Sequence, residues 1–494
     1  MSNTRSEQEL VRIEKLSELR QHGDPFPNDV VVTATSERVR GNVDAEVELD
    51  EADRKRVTLA GRLMTIRLMG KAAFCHVQDR HGQIQVYVKR DDLGEAAFER
   101  FKSLDLGDII EVTGYAFRTK TNEPSLHAEK YRLLVKCLHP LPEKWHGLTD
   151  VETRYRKRYV DLIVNKQSRD VFLARAKILG LIREFFNSRE YLEVETPMMH
   201  SVASGAAAKP FLTHHNSLSL DLYLRIAPEL HLKRLLVGGF ERVYEMGRVF
   251  RNEGMSTEHN PEFTILEFYQ AYATYNSLMD LTEELIVKLC QEVTGGLKIN
   301  YKDRELDFTP PWKRITMVEA IREFGNIDSS ISLESLDGIK RAAKVLGFDG
   351  IDSLDDYGRA VYEVFDVCIE ERIVSPTFIT KHPLSISPLS RASADDGRFV
   401  DRFELIVAGM ELANAFSELN DPFEQHRRLE DQLKAKMQGD EEAMDMDEDF
   451  VTALEYGMPP TAGEGIGIDR LVMILVGATS IRDVILFPQM RPLT

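Results

Sequence analysis

The chain has 494 residues, of which 43% are hydrophobic and 29% charged, so its composition is that of a globular protein and excludes a disordered or collagen-like one. Its 63 basic and 81 acidic side chains give a formal charge of −18, which argues against bulk nonspecific nucleic-acid binding but leaves local basic patches open. No apolar stretch approaches the roughly 20 residues of a membrane helix and the N-terminus lacks an apolar signal core, so we expect a cytoplasmic protein.

The cysteine pattern argues against both a zinc site and a disulfide framework. The four cysteines, Cys75, Cys137, Cys290 and Cys368, are too far apart for paired metal ligands and too few for a network of cross-links. We therefore expect buried free thiols and no zinc.

The first 140 residues predict a short helix followed by a small β-barrel. Ser6 to Glu9 has the S-x-x-E form of a capping box, and the helix it begins is expected to end before Gly23. From Val57 to about Pro140, five short β-rich runs, the last of them at residues 131–138, are separated by turn pairs such as His81-Gly82. Both an OB-fold, which typically binds single-stranded nucleic acid, and an SH3-like barrel fit this spacing.

The stretch from Pro140 to Lys157 is interpreted as a linker into a second domain, because it contains two prolines and most of a basic cluster at Arg154–Arg158. We place the domains at residues 1–145 and 146–494. The basic cluster either contacts nucleic-acid phosphate or solvates the linker.

The second domain mixes helices and strands without a regular βαβ order. A helix is expected at Val171–Ser188, and a helix-rich span runs from about 275 to 390. Strands return at Phe399–Ser417, and a glycine-rich segment with an apolar helix closes the chain. This order predicts an α+β fold with a mixed or antiparallel sheet.

The common nucleotide-binding motifs are absent from the sequence. It contains no G-x-x-x-x-G-K-[ST] loop, and Gly463-Glu-Gly-Ile-Gly-Ile-Asp-Arg470 differs from the dinucleotide fingerprint in its glycine spacing. Without such a loop, a triphosphate needs arginines and a hard cation such as Mg²⁺, which prefers carboxylate ligands. Arg251, Arg470, Glu404 and Glu411 are side chains of these types.

Glu404 and Glu411 could share a cation only if the backbone turns between them. Seven residues apart, they would lie on opposite faces of a continuous strand, so a shared Mg²⁺ requires a turn or bulge at Ala408-Gly409. Taken singly, each is more typical of a surface salt bridge.

Three ordered motifs carry a resemblance to a known family. Gly247–Gly254, continued by His259–Phe263 and Glu267–Tyr269, resembles the second motif of class II aminoacyl-tRNA synthetases. Gly463–Arg470 resembles the third motif, and Tyr191–Pro197 is similar to the first. With the N-terminal barrel, these motifs make nearly the whole chain resemble the class II lysyl-tRNA synthetases of the bacterial type.

The resemblance implies an N-terminal OB-fold that binds the anticodon, and a catalytic domain with a mixed, mainly antiparallel sheet flanked by helices and a helical insertion at about 275–390. It also implies a homodimer with Pro197 at the interface. The implied activity is ATP-dependent ligation of L-lysine to tRNA(Lys) through a lysyl adenylate.

The resemblance also maps the family's ATP site onto this sequence. The residues implied are Arg251, Glu253, His259, Asn260, Phe263, Glu404, Glu411 and Arg470. Arg251 would contact the α-phosphate and the lysine carboxylate and Arg470 the γ-phosphate, which makes these two the expected catalytic residues. The adenine would stack between Phe263 and Arg470. Glu404 and Glu411 would hold Mg²⁺, with three ions expected per active site when ATP is bound.

The implied lysine-binding residues are Gly205, Glu229, Arg251, Glu267, Tyr269, Asn414, Phe416 and Glu418. An unpaired ammonium in a closed pocket is strongly unfavourable, and Glu418 with Tyr269 matches the positions that bind the ε-ammonium. The α-ammonium would be received by Glu229, Glu267 and the carbonyl of Gly205. By residue type alone, Tyr269 and Phe416 would be ordinary core aromatics.

In the barrel, Arg67, Phe74 and Gln85 match family positions that read the U-rich lysine anticodon, Phe74 by stacking and Gln85 by hydrogen bonding. Glu123 is a further candidate for contact with a base. The alternative for Phe74 is a place in the barrel core.

Two segments depart from the commoner family pattern. Ser201–Ser204 precedes Gly205 where many relatives have a proline-glycine pair, so the sequence does not define the conformation of the loop over the lysine. Ala413 and Ala415 flank Asn414 where some bacterial members have glycine, and we expect them to narrow the pocket floor.

Three other functions are weighed against the lysine enzyme. Aspartyl- and asparaginyl-tRNA synthetases share the motifs, but an acidic Glu418 does not suit an anionic or amide substrate. A paralogue that modifies an elongation factor generally lacks the barrel at residues 57–140. A nonenzymatic RNA-binding relative would not need Arg251 and Arg470.

Overall fold

The computed structural model describes residues 5–142, 148–440 and 442–493. Its contacts divide the chain into two units, Met1–Thr149 and Asp150–Thr494. The boundary expected between residues 145 and 146 lies outside the described residues.

The N-terminal unit contains a leading helix, a closed barrel and short helices around it. Its helices are α1 (Glu7–His22), α2 (Ser36–Val47), α3 (Arg90–Leu93) and α4 (Glu95–Lys102). Its strands are β1 (Val57–Met69), β2 (Ala72–Asp79), β3 (Gly82–Lys89), β4 (Ile109–Arg118) and β5 (Pro124–Val135).

Helix α1 begins where the sequence predicts. The Ser6 side chain accepts a hydrogen bond from the Glu9 backbone N–H, and the Glu9 carboxylate accepts one from the Ser6 N–H. Each end of this reciprocal pair satisfies an amide that the first helical turn leaves free, which confirms the capping box.

The barrel closes in the strand order β1-β2-β3-β5-β4, with β4 paired to β1. Ala73, Cys75 and Val77 of β2 alternate into the core because successive strand residues face opposite sides. β5 begins at Pro124, earlier than the run expected from Tyr131, and its Leu126 is buried in the core.

The C-terminal unit is larger and mixes the two kinds of element. Its helices are α5 (Val151–Arg156), α6 (Arg158–Val164), α7 (Lys166–Asn187), α8 (Glu229–Val237), α9 (Tyr275–Thr294), α10 (Met317–Gly325), α11 (Leu336–Leu346), α12 (Tyr357–Cys368), α13 (Pro422–Met437), α14 (Glu448–Glu455), α15 (Ile468–Val476) and α16 (Ile481–Val484). Its strands are β6 (Leu192–Glu193), β7 (Met199–His200), β8 (Phe211–His215), β9 (Leu220–Leu224), β10 (Arg242–Phe250), β11 (Glu262–Ala271), β12 (Lys298–Tyr301), β13 (Arg304–Asp307), β14 (Lys313–Thr316), β15 (Thr377–Pro383), β16 (Phe399–Val407), β17 (Met410–Ser417) and β18 (Thr461–Gly467).

An eight-stranded sheet in the order β14-β15-β16-β17-β18-β11-β10-β6 forms the centre of this unit. The six inner strands pair antiparallel, and the outermost pair on each side is parallel. One sheet face packs against α7, α9 and α15 in the main hydrophobic core. The α+β fold with a mixed, mainly antiparallel sheet is thereby confirmed.

The span at about 275–390 is not purely helical. Helices α9, α10, α11 and α12 lie in it, but so do β14 and β15, which belong to the central sheet. Ile379 of β15 is fully buried because it joins this sheet to the small core formed by α10, α11 and α12. Only part of the span is therefore inserted between sheet strands.

The basic cluster Arg154–Arg158 lies in α5 and α6 and not in an open linker. Arg158 is almost fully buried, and its Nη1 donates to Asp161 Oδ2 at 2.7 Å. Arg154 also pairs with Asp161, at 3.1 Å. The interpretation as linker-solvating groups is therefore wrong for both arginines, and the buried Arg158 does not bind phosphate either, whereas phosphate contact by the partly exposed Arg154 stays a prediction.

Candidate active site

The segment around Arg251 and the segment from Glu404 to Arg470, about 150 residues apart in the sequence, come together through neighbouring strands of the central sheet. β11 pairs with β18, β18 with β17 and β17 with β16. Arg251 follows β10, and Arg470 lies in the first turn of α15, directly after β18. Because β10 in turn pairs with β11, the sheet brings both arginines to the wall of one cavity.

This cavity has a volume of about 680 Å³. Its wall includes most of the residues predicted for ATP and lysine: Gly205, Glu229, Arg251, Glu253, His259, Asn260, Phe263, Glu267, Tyr269, Glu404, Glu411, Asn414, Phe416 and Arg470. Glu418 lies just beneath the wall, and a Cβ on the wall residue Gly463 would come within 2.5 Å of its Oε1.

Arg251 projects from the wall with part of its guanidinium unsatisfied. Its Nε is buried and has no hydrogen-bond partner among the described residues. Its Cζ lies 5.2 Å from the centre of the Phe263 ring, a cation–π contact. A buried unpaired donor is costly, so this end of the cavity is suited to an anionic ligand.

Arg470 is held by backbone and by a histidine. Its Nη1 donates to the Glu411 carbonyl oxygen at 2.5 Å, and its Nη2 lies 3.0 Å from His259 Nε2. Burial and the nearby Arg470 lower the pKa of His259, which favours the neutral ring that can accept this hydrogen bond.

Asp469 fixes the helix that carries Arg470. Its two carboxylate oxygens accept hydrogen bonds from Arg175 Nη1 and from the Thr264 backbone N–H, each at 2.6 Å. The start of α15 is therefore tied both to α7 and to β11, and Arg470 does not depend on a loop for its position.

A tight turn brings Glu404 and Glu411 to the same cavity. β16 and β17 form a hairpin whose two turn residues, Ala408 and Gly409, have φ of 54° and 74°. Positive φ at both residues suits a two-residue hairpin turn, and the register shifts by one residue between Leu405 and Ile406. The turn predicted at Ala408-Gly409 is confirmed.

The chemistry of these two carboxylates fits a divalent cation. Burial raises the pKa of Glu404 although Arg402 opposes it, with Arg402 Nη2 2.6 Å from Glu404 Oε1. Desolvation and the neighbouring Glu404 raise the pKa of Glu411. A hard cation between them would relieve this repulsion. Within the described parts of the chain, no group of three or more His, Cys, Asp or Glu side chains could hold a metal ion by itself.

The other end of the cavity is an acid pocket formed by Glu229, Glu267, Tyr269 and Glu418. Burial raises the pKa of Glu267 well above its usual value, and Glu229 and Glu245 add to this. The Tyr269 hydroxyl donates to Glu267 Oε2 over 3.4 Å. Burial raises the pKa of Glu418 to about 8, although an ion pair with Lys233 opposes the shift.

Sequence reasoning missed Lys233. It lies on α8 four residues after Glu229, and its Nζ donates to Glu229 Oε1 at 2.5 Å. A Glu and Lys four residues apart on a helix are usually a surface pair, and only the amphipathic pattern of Leu230, Leu232 and Leu236 around them could have indicated burial.

The expected effect of Ala413 and Ala415 on the pocket is wrong. Asn414 lines the cavity, and because strand neighbours face opposite sides, the two alanines point into the main core, where both are buried. They therefore leave the pocket floor unchanged. Gly205, which follows the Ser201–Ser204 loop, lines the cavity and has a φ of 99°, a backbone conformation that favours glycine.

On the barrel, Arg67, Phe74 and Tyr87 form a cross-strand row. Arg67 is paired with Phe74, and Phe74 with Tyr87, whose ring centre is 5.0 Å away. Phe74 alternates with buried Ala73 and Cys75, so it is half-buried on the outer face and is not a core residue. Sequence reasoning missed Tyr87.

The remaining anticodon candidates lie beside this row. Gln85 shares the outer face with Tyr87, and its Oε1 accepts a hydrogen bond from Ser125 Oγ at 2.9 Å. Glu123 is exposed just before β5. Phe117 and His127, which were not predicted, extend the aromatic surface through contacts with Tyr87.

Pro197 is exposed beside a small three-stranded sheet of β7, β9 and β8. Large apolar side chains in β6 of the central sheet and on and next to the small sheet are also exposed: Leu192 46%, Met198 47%, Met199 54%, Leu212 66%, Leu218 67% and Leu220 43%. Large exposed apolar side chains are typical of interaction surfaces. No described helix has both the length and the apolar character needed to cross a membrane.

Two family models match the two units of the chain. Residues 150–491 match the family model described as tRNA synthetases class II (D, K and N), and residues 57–134 match an OB-fold nucleic acid binding domain. The second match confirms the OB-fold over the SH3-like alternative.

Curated relatives match over almost the whole chain. A lysine–tRNA ligase of Moorella thermoacetica is 52% identical over 98% of this chain and 97% of its own length. Proteins of the same name from Halalkalibacterium halodurans and Staphylococcus epidermidis are also 52% identical, over 97% and 99% of this chain and 96% and 100% of their own lengths.

Proposed function

The chain belongs to the class II lysine–tRNA ligases, and from this premise we propose how its cavity and its barrel divide the reaction between them. The protein ligates L-lysine to tRNA(Lys) with ATP through a lysyl-adenylate intermediate. The convergence of Arg251, Arg470 and the acid pocket on one cavity of about 680 Å³ is the observation that carries the residue assignments.

In the first step, a carboxylate oxygen of lysine attacks the α-phosphorus of ATP, the bond to the bridging oxygen breaks, and pyrophosphate leaves. Arg251 binds the α-phosphate and the lysine carboxylate, and Arg470 binds the γ-phosphate. Adenine stacks between Phe263 and Arg470, beside Glu253, His259 and Asn260. Because both reactants are anions, positioning and charge cancellation by the two arginines matter more than proton transfer. The unsatisfied Nε of Arg251 supports its role.

Glu404 and Glu411 hold Mg²⁺, with three ions per active site when ATP is bound. Mg²⁺ is usually bound by one or two carboxylates together with substrate phosphates, which suits a site with only two protein ligands. The ion supplies positive charge that neutralises the triphosphate. The raised pKa values of both carboxylates support this assignment, since each gains from a nearby cation.

The acid pocket selects lysine. Glu418 and Tyr269 receive the ε-ammonium, while Asn414 and Phe416 complete the pocket. The α-ammonium is received by Glu229, Glu267 and the carbonyl of Gly205. A pocket of buried carboxylates favours a diammonium amino acid and disfavours aspartate and asparagine, which the related enzymes take.

In the second step, the lysyl group passes to a ribose hydroxyl at the 3′ end of the tRNA. Arg67, Phe74 and Gln85 on the outer barrel face read the anticodon, with Glu123 beside them. A half-buried aromatic ring next to an arginine is a typical stacking platform for an unpaired base.

The enzyme acts as a homodimer in the cytoplasm, where tRNA is charged for protein synthesis. Pro197 and the exposed apolar residues around the small sheet form the contact between the two copies. Their exposure of 43–67% supports this assignment, because contact with a second copy would remove these large apolar side chains from water.

Pyrophosphate exchange measured with each of the twenty amino acids tests the proposal. We expect exchange with lysine and a background signal with aspartate and asparagine. Arg470→Ala is expected to abolish lysine-dependent exchange while the melting temperature stays near that of the parent. The exposed Arg304→Ala serves as a control and keeps its exchange rate. An active Arg470→Ala, or exchange with aspartate in place of lysine, would reject the assignment.

A further inference from the structure

Lys233 brings a permanent ammonium into the acid pocket. The residue is fully buried on α8, and its Nζ donates to Glu229 Oε1 at 2.5 Å and forms an ion pair with Glu418 Oε2. It also lies 5.3 Å from the centre of the Phe416 ring. The two carboxylates assigned to the ends of the substrate therefore already share one cation of the protein.

Each of these carboxylates keeps one oxygen free of Lys233. Glu418 Oε1 is buried without a hydrogen-bond partner among the described residues, and it lies 2.5 Å from where a Cβ on the cavity-wall residue Gly463 would be. Glu229 itself lines the cavity. The two inner oxygens, Glu229 Oε1 and Glu418 Oε2, thus face Lys233, while Glu418 Oε1 lies directly behind Gly463 of the cavity wall.

The charges of the pocket match those of lysine. Three carboxylates, Glu229, Glu267 and Glu418, surround Tyr269, and Lys233 neutralises one of them. The adjacent Arg225 is matched by Glu245 at 2.5 Å, so that pair adds no net charge. When all three carboxylates are ionised, which bound ammonium groups favour, two negative charges remain. Lysine brings two ammonium groups, and its carboxylate is matched by Arg251.

We propose that Lys233 is a positioning residue for amino-acid selection, a fixed counter-ion that pairs with the inner oxygens of Glu229 and Glu418 and leaves two negative charges for the two ammonium groups of the substrate. This inference rests on the lysine pocket proposed above. Without Lys233, the strongest cation site would lie between the two carboxylates, and the substrate ammonium would bind there, out of register with the α-phosphate.

The ionisation of the groups around Lys233 supports this role. Burial disfavours its ammonium, but Glu229 and Glu418 outweigh burial and raise the pKa of Lys233, so it stays charged. In turn, Lys233 lowers the pKa of Glu418, which burial and Glu229 raise. The ionisable groups facing Glu418 are Lys233 and Glu229 on α8 and Tyr269 on β11.

The test compares Lys233→Met with its neighbour Arg234→Met in lysine-dependent pyrophosphate exchange. Arg234 is on the same helix and pairs with Asp447 and Asp449, outside the cavity wall. For Lys233→Met we expect kcat/KM for lysine to fall about tenfold or more, equivalent to roughly 1.4 kcal/mol, with the KM for ATP within about twofold of the parent. Arg234→Met should leave both values unchanged.

The pH profile separates a counter-ion from a packing residue. Loss of Lys233 raises the pKa of Glu418 further, so the rise of kcat/KM for lysine with pH should shift to higher pH in Lys233→Met. Lys233→Arg, which keeps the charge, should retain a profile nearer that of the parent. An unshifted profile in Lys233→Met, or equal losses for lysine and ATP, would overturn the inference.

A double variant keeps the test decisive if Lys233→Met does not fold. Removing Lys233 and Glu229 together removes one buried cation and one buried anion, which keeps the net charge of the pocket and disturbs it less than removing the cation alone. Relative to Glu229→Gln alone, we expect Lys233→Met/Glu229→Gln to change kcat/KM for lysine by less than about threefold. A further tenfold loss would overturn the inference. Absence of lysine-dependent exchange in the parent protein would instead overturn the proposed function.

Discussion

Single residues of the acid pocket are hard to ionise, because burial raises the pKa of their carboxyl groups. Glu418 is 2% exposed, and burial raises its pKa to about 8 against the pull of Lys233. Glu267 is shifted in the same direction by burial and by Glu229. Burial therefore opposes the ionisation of these carboxyl groups, and the ammonium groups of a bound lysine would favour it.

This predicts a pH dependence of lysine activation. The ionised form of Glu418 accepts the ammonium, and its pKa is raised, so kcat/KM for lysine should rise by roughly fivefold between pH 7 and pH 8 and flatten above. The KM for ATP should change little over the same range. Steady-state pyrophosphate exchange at constant ionic strength measures both.

Glu418→Gln removes the titrating group and provides the control. We expect it to lower kcat/KM for lysine by about 100-fold or more, because one partner of a buried charge pair is lost, and to flatten the rise toward pH 8. Glu430→Gln, an exposed change on α13, should keep the parental profile. A parental profile in Glu418→Gln would contradict the assignment.

At the scale of the element, strand β18 leaves room for the acid pocket because the residues on its cavity face have almost no side chains. A Cβ at Gly463 would lie closer than 3.0 Å to the Tyr269 ring and to Glu418 Oε1. Gly463→Ala should therefore raise the KM for lysine about tenfold or more and leave the KM for ATP within about twofold. Separate titrations of lysine and ATP in the exchange assay measure the two effects.

The same substitution at Gly180 is a matched control. Gly180 is in α7, and a Cβ there meets nothing within 4 Å. Gly180→Ala should stabilise the protein by about 1 kcal/mol, since alanine favours the helix, and leave lysine activation unchanged. An unchanged KM for lysine in Gly463→Ala would show that the pocket does not need this bare strand.

The outer face of the barrel gives a second prediction at this scale. Phe74 is half-buried and contacts Tyr87, while its neighbours on the strand fill the core. Phe74→Ala should reduce tRNA charging about tenfold or more through loss of base stacking, with lysine-dependent exchange near normal. Aminoacylation with tRNA(Lys) and pyrophosphate exchange measure the two steps separately.

Phe98→Ala distinguishes stacking from folding. Phe98 is 1% exposed in the barrel core, so its loss should destabilise the barrel by about 3–5 kcal/mol. Thermal unfolding should detect this change and should find Phe74→Ala much less affected. A Phe74→Ala protein that unfolds like Phe98→Ala would indicate a core role for Phe74.

Sequence patterns predicted elements well wherever local chemistry decides them. The capping box at Ser6 and the turn at Ala408-Gly409 depend on a few adjacent residues, and both were predictable. Leu126 of β5 was missed because the run around it is short and polar on one face. The place of β15 in the central sheet depends on partners far along the chain, which periodicity cannot reveal.

How far the site residues could be predicted likewise depended on whether local sequence decides the feature. Arg251 and Arg470 were assigned through family motifs, whereas the residues alone allowed surface salt bridges. Lys233 was missed because its spacing from Glu229 is also that of an exposed helix pair. The effect of Ala413 was predicted wrongly because the direction of its side chain depends on the alternation along β17. That alternation can be assigned to the two sheet faces only when the register of the strand is known.

At the scale of the whole molecule, the exposed apolar residues around the small sheet predict self-association. Leu212 is 66% exposed in β8, so a charge there should not disturb the fold but should disrupt an interface. Leu212→Asp is expected to convert a dimer to a monomer. Light scattering coupled to size-exclusion chromatography measures the mass directly.

Leu173→Asp is the matched control for this prediction. Leu173 is 62% exposed on α7, which is not part of the small sheet, and its replacement should leave the mass unchanged. A monomeric parent protein, or dissociation of both variants alike, would contradict the placement of the interface.

Because Glu404 and Glu411 lie on the two strands of one hairpin, the number of residues between them decides whether both carboxylates reach the same cavity. Strand side chains alternate in direction, so one residue gained or lost in this interval would turn one carboxylate away from the other. A Cβ at Gly409 would also meet the backbone of Glu371 at 2.9 Å, so the turn itself tolerates little change. Evolution can therefore lengthen many surface loops of such an enzyme, but natural variants with insertions or deletions between these two positions should not survive selection.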